Sequence, residues 1–219
     1  MTIQQAVMLL EWAARRGYIV DGSPEVYRNI CRKAHQSPVT LRSDFPVVSD
    51  LPQGMEVKDR GEVDVLISWR EDLEASAVVR VIPQAVRLGI GCRRGISEAM
   101  IRDVVEQTLR EHHIDPRAVG EVASIDLKAD EEGLLAFCRS QGWPIHFYSA
   151  EELQKAEGSF TPSAFVRNIT GVDNVCERSA LLGAERLLVR KTARKGVTVA
   201  AAVERLVISF EETGIPGGH

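Results

Sequence analysis

The chain has 219 residues and a formal net charge of −4, from 27 lysines and arginines against 31 aspartates and glutamates. This balance gives no electrostatic reason to expect a nucleic-acid partner, which usually requires a basic face. No segment has the roughly eighteen uninterrupted apolar residues of a membrane helix, and the charged, amphipathic start does not fit a signal peptide. The four cysteines form no C-x-x-C pair. We therefore expect reduced thiols, no metal site, no membrane partner and a cytoplasmic protein.

Residues 1–83 predict a small α/β segment. An apolar stripe at helical spacing predicts a first helix over Ile3–Arg16, and a short strand follows at Tyr18–Val20. Ser23 and Pro24 are a capping serine and a first-turn proline, which predict a second helix to about His35. Further strands are expected at 38–41, 63–68 and 77–82. The stretch 43–62 contains two prolines and two glycines and predicts irregular loop.

Residues 84–211 predict a second domain, and 212–219 a flexible tail. Strand patterns at 86–90, 122–127 and 144–148 alternate with helix patterns. Ser97, Asp130 and Ser149 are the expected caps of these helices, and Ser149 with Glu152 forms a capping-box pattern. A loop over 158–171 leads to a helix at 173–182, and strands at 187–190 and 197–201 are joined by a turn at 192–196. This order predicts a three-layer α/β/α domain with a mainly parallel or mixed sheet and an antiparallel edge.

The turn Gly89-Ile90-Gly91-Cys92-Arg93-Arg94-Gly95 lies between a strand and a helix, where open α/β sheets collect ligands. Its glycine spacing matches neither the dinucleotide fingerprint nor a P-loop. Its backbone N–H groups suit an anion and its arginines suit carboxylates, although a tight connection without a ligand fits the pattern as well. Cys92 is favoured as a packed thiol over a nucleophile, because no histidine is tied to it.

Two further segments and the final hairpin contribute candidates at the same edge of the predicted sheet. Lys128 follows a strand, and the alternative for Lys128 and for Glu131 nearby is a surface charge. Asn174 and Glu177 begin a helix, where Glu177 either favours the helix dipole or acts as a general base, the dipole role being preferred. Lys191 belongs to a basic cluster in the hairpin, which would ordinarily be solvated.

Six segments resemble, in their order, the C-terminal domain of the CbiG family. They are "VRLGIGCRRG", "SIDLKADEEGL", "PIHFYSAEEL", "GVDNVCERSALL", "LLVRK" and "GVTVAAA", and the similarity covers about residues 78–203. Similar domains occur alone as CobE proteins. The preceding "GYIVDGSPEVYRNICRKAHQSPVTLRSD" is similar to the central region of CbiG, which favours CbiG over CobE.

The resemblance implies a role in cobalamin biosynthesis, as a hydrolase that opens the δ-lactone of cobalt-precorrin-5A and releases acetaldehyde. The implied ligand is a cobalt-corrinoid intermediate, and no cofactor is expected beyond the cobalt within that substrate. Glu177 is the candidate base. The candidate substrate-binding residues are Gly89, Gly91, Arg93, Arg94, Gly95, Lys128, Asn174 and Lys191.

The N-terminal domain of complete CbiG proteins, with its Ser-Gly-His and Gly-Gly-rich motif, is not found in this sequence. A separate N-terminal domain protein or self-association could therefore complete the site. The alternatives to a hydrolase are a non-catalytic corrinoid-binding carrier and a partner subunit of such a protein.

Overall fold

The structure is a computed structural model that describes residues 3–71, 79–162 and 173–211, with side chains described from Leu9 onward. The predicted tail 212–219, most of the predicted loop 158–171 and the start of the predicted strand 77–82 lie outside these residues. The chain divides into two compact units. One extends to Gln84 and includes the segment from Leu206, and the other is Ala85–Arg205. Among the described helices, none is long and apolar enough to cross a membrane.

The first unit contains a five-stranded sheet of described residues with the strand order β1-β5-β4-β2-β3. All neighbouring pairs are parallel except β1 and β5. As predicted, the Ser23 hydroxyl caps the second helix by accepting the Val26 N–H at 3.3 Å. The elements in chain order are α1 (Ile3–Arg15), β1 (Ile19–Asp21), α2 (Pro24–Lys33), β2 (Val39–Ser43), β3 (Met55–Val57), β4 (Val65–Ile67) and β5 (Val79–Ile82).

Strand β3 lies in the stretch for which the sequence predicted only irregular loop. It has three residues and pairs in parallel with β2. Three residues are too few to show an alternating pattern, and two of the three are exposed. The hydrogen bonds that make this segment a strand come from a distant part of the chain, which no local pattern reports.

The segment from Leu206 returns to the first unit, whereas the sequence assigned it to the second. Ile208 forms a parallel bridge with Val47. The Trp12 indole N–H donates to the Ser209 carbonyl at 2.7 Å, and the Phe210 ring lies 4.6 Å from the Trp12 ring, centroid to centroid. These contacts bury Ile208 completely and explain why the segment belongs to the first unit.

The second unit is built around another five-stranded sheet of described residues, with the order β8-β7-β6-β10-β9. β8, β7 and β6 are parallel, and β10 is antiparallel to both β6 and β9. The α/β prediction with an antiparallel edge is confirmed. The elements are β6 (Val86–Cys92), α3 (Glu98–Glu111), β7 (Val119–Ile125), α4 (Glu132–Gln141), β8 (Ile145–Tyr148), α5 (Ala150–Gln154), α6 (Val175–Leu181), β9 (Arg186–Arg194) and β10 (Val197–Val203).

Helices cover both faces of this sheet. α6 packs on the face that contains Gly89, where the space for a Cβ atom is taken by the helix backbone. The Thr192 hydroxyl of β9 lies 3.2 Å from the Thr108 hydroxyl of α3. Thr192 is paired with Val199 of β10, and Val199 is paired with Ile90 of β6, the residue after Gly89. Because successive strand residues face opposite sides, α3 covers the other face. The unit is therefore three-layered.

Local capping explains where these helices begin. The Ser97 hydroxyl accepts the Met100 N–H at 3.3 Å, and Ser149 forms the predicted capping box with Glu152. The prediction that Asp130 caps α4 is wrong. A short 3-10 turn after β7 moves the start of α4, so that the N-cap position is Glu131, and Asp130 instead forms an ion pair with Arg94.

The β9–β10 hairpin has a tighter turn than predicted. β9 continues to Arg194, so the connection consists of Lys195 and Gly196 with φ angles of 49° and 83°. Positive φ at both central residues is the geometry that two-residue hairpins favour, because its twist matches that of the strands. The basic residues of this turn are thereby carried to the end of the sheet at which β6 and β7 terminate.

Candidate functional site

A cavity of about 880 Å³ lies at the carboxyl ends of β6 and β7. Four stretches line it: the end of β6 with the following turn, the segment after β7, the start of α6, and the hairpin. Parallel strands bring their carboxyl ends to one edge, and β10, being antiparallel, begins at that same edge. The lining residues are Gly91, Cys92, Arg93, Arg94, Ile125, Leu127, Lys128, Asn174, Val175, Cys176, Lys191, Ala193, Arg194, Lys195, Gly196, Val197 and Thr198.

The cavity is cationic and partly apolar. Its basic residues are Arg93, Arg94, Lys128, Lys191, Arg194 and Lys195, and none of the described residues that line it is acidic. Ile125, Leu127, Val175 and Val197 form its apolar part, and the Leu127 side chain is 48% exposed. A site of this kind suits a large ligand that has an apolar body and several carboxylates at its edge.

Four of these cations are held by carboxylates that lie outside the cavity lining. Arg194, Lys195 and Lys128 each pair with an acid of a helix or its N-cap, and Arg94 pairs with an exposed aspartate. The N···O distances are 2.8 Å for Arg194–Glu111, 2.6 Å for Lys195–Asp103, 3.5 Å for Lys128–Glu131 and 3.2 Å for Arg94–Asp130. These four side chains are oriented by their partners, which reduces the positive charge that each offers to a ligand.

Arg93 and Lys191 differ from the other four. Neither the Arg93 guanidinium nor the Lys191 ammonium has a hydrogen-bond or ion-pair partner within the described parts of the chain. The Arg93 backbone is fixed, because its N–H donates to the Gly196 carbonyl at 2.9 Å. These two cations are therefore the most available to a carboxylate ligand.

The three candidate glycines have three different roles. A Cβ atom on Gly89 would overlap the Cys176 carbonyl oxygen, so Gly89 permits the close packing of α6, and it is not among the residues that line the cavity. Gly91 lines the cavity. Gly95 has a φ of 73°, and its N–H donates to the Glu131 carboxylate at 2.6 Å. Since the N–H groups of Arg93 and Gly95 already have acceptors, those two do not form the expected anion site.

Glu177 is a fully buried structural carboxylate. It accepts hydrogen bonds from the Thr161 N–H (2.9 Å), the Thr161 hydroxyl (2.7 Å) and the Lys191 N–H (2.8 Å). Burial opposes its ionisation, but these bonds and the charge of Arg190 hold the pKa of Glu177 below its ordinary value. Glu177 does not line the cavity. This geometry argues against the general-base hypothesis.

Asn174 lines the cavity, but its side-chain oxygen and nitrogen are hydrogen-bonded within the protein. Its carbonyl oxygen accepts the Glu177 N–H at 2.9 Å and the Cys176 thiol at 3.3 Å, and its amide donates to the Thr161 carbonyl at 3.0 Å. Asn174 therefore caps α6 from a position in the cavity lining.

Two cysteines line the cavity in protonated form. Burial raises the pKa of Cys176 to about 12, and burial also raises that of Cys92, with Lys128 opposing and Glu131 adding to the shift. A nucleophilic thiolate requires the opposite shift. The geometry supports the interpretation of Cys92 as a packed thiol.

Glu131 is the residue that sequence reasoning missed, because it was interpreted as a surface charge. It is only 5% exposed and joins the turn after β6 to Lys128. Gly95 lies 36 residues from Glu131 in the sequence, so only the parallel pairing of β6 and β7 brings them together.

Comparison with known proteins identifies the family of this second unit. Residues 86–202 match the family model described as "Cobalamin synthesis G C-terminus", which covers more than half of the chain. The chain belongs to this family. The CbiG C-terminal match contains every cavity-lining residue.

Two curated relatives of this CbiG-family chain are named cobalt-precorrin-5A hydrolase. The protein of Priestia megaterium is 37% identical over 123 residues, which are 55% of this chain and 33% of that protein. The protein of Salmonella typhimurium is 34% identical over 147 residues, which are 65% of this chain and 42% of that protein. The chain thus matches between a third and about two fifths of the length of these relatives.

A further relative and a solved structure carry the name CobE. Protein CobE of Sinorhizobium is 34% identical over 119 residues, which are 52% of this chain and 77% of that protein. The crystal structure of a CobE from the cobalamin biosynthetic pathway is 35% identical, with a TM-score of 0.51, and the match covers 54% of this chain and 89% of that one.

Proposed function

We propose that the cavity of the second unit binds a cobalt-corrinoid intermediate of cobalamin biosynthesis during opening of the δ-lactone of cobalt-precorrin-5A and release of acetaldehyde. The observation that carries this proposal is the cavity with six cations and no acidic residue among its described lining. A corrin macrocycle has an apolar ring system edged with acetate and propionate groups, which complements this arrangement. The names of the hydrolase relatives support the reaction.

Arg93 and Lys191 are the proposed principal carboxylate ligands. Both line the cavity, and neither cation is neutralised by another described residue. A charged hydrogen bond is worth about 1.5–3 kcal/mol, which corresponds to roughly 10- to 100-fold in affinity. Arg94, Lys128 and the cations of the hairpin turn add a weaker, more screened attraction.

A second candidate function is a binding module that holds the corrinoid while catalytic groups come from elsewhere. It is favoured by the absence of any carboxylate or imidazole from the described cavity lining, since lactone hydrolysis needs a base to activate water. Under this proposal a separate N-terminal domain protein or a second copy of the chain supplies that base. Co-purification with such a partner and restored lactone opening would support it.

The binding experiment is a titration of the purified chain with cobyrinic acid, which has free carboxylates, and with its fully esterified form. We expect the free acid to bind and the ester to bind at least tenfold more weakly, because the ester groups offer no negative charge to Arg93 and Lys191. Arg93→Gln and Lys191→Met should each weaken binding of the acid by about tenfold or more. Arg186→Gln and Lys155→Met, outside the cavity lining, are the matched controls and should change little.

Turnover separates the two candidates. Incubation of the chain with cobalt-precorrin-5A should yield acetaldehyde if the chain contains the whole catalytic site. Binding without acetaldehyde would support the module. Equal affinity for the acid and the ester would contradict both.

We further propose that the chain requires no cofactor of its own, with cobalt present only within the substrate. No cluster of three or more potential metal ligands occurs among the residues that the structure describes. Unchanged corrinoid affinity after dialysis against a chelator would support this proposal, and a loss of affinity that zinc restores would contradict it.

A further inference from the structure

Strand β9 contains a β-bulge beside the cavity. Thr192 is paired with Val199 and Val189 with Ala201, so that Arg190 and Lys191 together lie opposite the single residue Ala200. A bulge changes the direction of the side chains that follow it and leaves a backbone group without its ladder partner. Such irregularities are frequent next to binding and catalytic sites.

The backbone group at this bulge is bound by Glu177. The Lys191 N–H donates to the Glu177 carboxylate at 2.8 Å, in place of a bond to β10. The other bonds of the carboxylate come from Thr161, whose N–H and hydroxyl lie at 2.9 and 2.7 Å. Glu177 thus joins β9 to α6 and to the segment before it from a fully buried position.

The two residues of the bulge have separate roles. The Arg190 guanidinium donates to the Ser159 carbonyl at 3.0 Å and is exposed. Lys191 is half-buried and lines the cavity. Glu177 therefore binds the backbone of the residue whose side chain lines the cavity.

We propose that Glu177 is a positioning residue for ligand binding, which acts by fixing the bulge that holds Lys191 in the cavity. This inference rests on the proposed function, because the ligand is taken to bind Lys191 through a carboxylate. It replaces the role of general base that the sequence suggested for Glu177. A buried carboxylate is costly to desolvate, and here three converging donors compensate for that cost.

The test is a double-mutant cycle on the affinity for cobyrinic acid, with Glu177→Gln, Lys191→Met and the double variant. Glutamine has the shape of glutamate, but its amide group would face a donor, so the bulge should be disturbed while the fold is kept. We expect Lys191→Met to weaken binding about tenfold and Glu177→Gln several-fold. In the Lys191→Met background, Glu177→Gln should have no further effect, because its target is gone.

If Glu177→Gln weakens cobyrinic acid binding equally in the wild-type and the Lys191→Met background, the effect is a general structural one and the proposal is overturned. A folded Glu177→Gln protein with unchanged affinity would overturn it as well. If Glu177→Gln does not fold, Thr161→Val replaces it in the cycle, since this change removes only the 2.7 Å hydroxyl bond to the carboxylate. Loss of affinity that depends on Lys191 supports the proposal, and loss independent of Lys191 overturns it.

A second measurement separates this inference from the proposed function. Amide hydrogen exchange of Lys191, followed by NMR, needs no corrinoid. Glu177→Gln should accelerate exchange at the Lys191 amide by about tenfold or more, because the acceptor of that N–H is weakened. An unchanged rate overturns the positioning role. If the wild-type chain fails to bind corrinoid while the Glu177→Gln variant still shows the accelerated exchange, only the proposed function is contradicted.

Discussion

The cations around the cavity are of two kinds, those neutralised by carboxylates outside it and those with no partner among the described residues. The first kind includes Lys195, which is bound to Asp103 at 2.6 Å, and the second consists of Arg93 and Lys191. At the level of single residues, recognition is therefore predicted to depend on availability rather than on the number of positive charges. An arginine that is already paired gains less from a second carboxylate.

The packing of α6 on β6 depends on a single missing side chain. A Cβ atom at position 89 would overlap the Cys176 carbonyl and lie 2.8 Å from the Ala180 backbone nitrogen. Because both neighbours are backbone atoms, Gly89→Ala should move the helix and lower the free energy of unfolding by about 3 kcal/mol. Urea denaturation measures this. Gly95→Ala is the matched control: its Cβ would meet no atom within 4 Å, and with a φ of 73° it should cost only about 1 kcal/mol. Equal losses would contradict the packing role.

The two cavity thiols should react slowly. With the pKa of Cys176 raised to about 12 by burial, its thiolate is scarce at pH 8, and the raised pKa of Cys92 acts in the same direction. We expect iodoacetamide to spare Cys176 in the native chain and to label it after unfolding, with half-buried Cys31 as reference. Mass spectrometry of the peptides reports each site.

The pH dependence of Cys92 alkylation tests the effect of the Lys128 charge on this thiol. Lys128 lowers the pKa of Cys92 against the effect of burial, so Lys128→Met should move the alkylation profile of Cys92 to higher pH. A profile that stays in place would show that Lys128 does not act on this thiol.

Residue roles differed in how far the sequence could predict them. The caps at Ser97 and Ser149 were predictable because each hydroxyl binds an N–H three residues later in the chain. The partners of Glu177 are Thr161 and Lys191, which are 16 and 14 residues away. No local pattern reports that these donors converge, so a carboxylate in a first helical turn was compatible with both a structural and a catalytic role.

At the level of elements, polar side chains hold strands together where the strands are short. Asp64, just before β4, accepts the Thr40 N–H at 2.8 Å and hydroxyl at 2.7 Å from β2 and the Lys33 ammonium from α2. Burial alone would raise the pKa of Asp64, but the bonds from Lys33 and Thr40 lower it. One carboxylate thus joins two strands and a helix of the first unit.

Asp64→Asn should therefore destabilise the first unit by about 2 kcal/mol at pH 7. Because the folded-state pKa lies below the unfolded value of about 3.9, the ionised form stabilises the fold above that pH. The difference between wild type and variant should shrink as the pH falls through the folded-state pKa. Urea denaturation at several pH values measures it. Asp130→Asn is the control, since its pair with Arg94 is about 70% exposed and should contribute almost nothing.

Irregularities within elements were the part of the fold that sequence patterns could not predict. Short apolar runs predicted strands at the positions of β9 and β10, but the bulge at Arg190 and Lys191 depends on pairing with β10 and on the Glu177 carboxylate. The turn was predicted too long for a similar reason. Lys195 adopts a φ of 49° that non-glycine residues rarely take, and only the strand pairing demands it.

At the level of the whole molecule, the family match and the second compact unit end within a few residues of each other, whereas the first unit continues beyond both. The match ends at residue 202 and the second unit at Arg205, while the chain after Leu206 returns to the first unit. This return is made by Ile208, Ser209 and Phe210, which contact Val47 and Trp12. The first unit is therefore discontinuous in sequence, and its stability should depend on residues that follow the second unit.

Truncation after Arg205 tests this dependence. Removal of Ile208 and Phe210 exposes the surface that they cover on Trp12 and Val47, and a buried isoleucine alone contributes about 2 kcal/mol or more. We expect faster hydrogen exchange in peptides from residues 9–71, measured by mass spectrometry, and unchanged exchange in peptides from β6, α3 and β10. Truncation after Glu211 keeps these contacts and is the control. Equal acceleration in both units would show that the segment from Leu206 stabilises the whole chain, whereas a change confined to the first unit would identify this segment as a structural element of that unit.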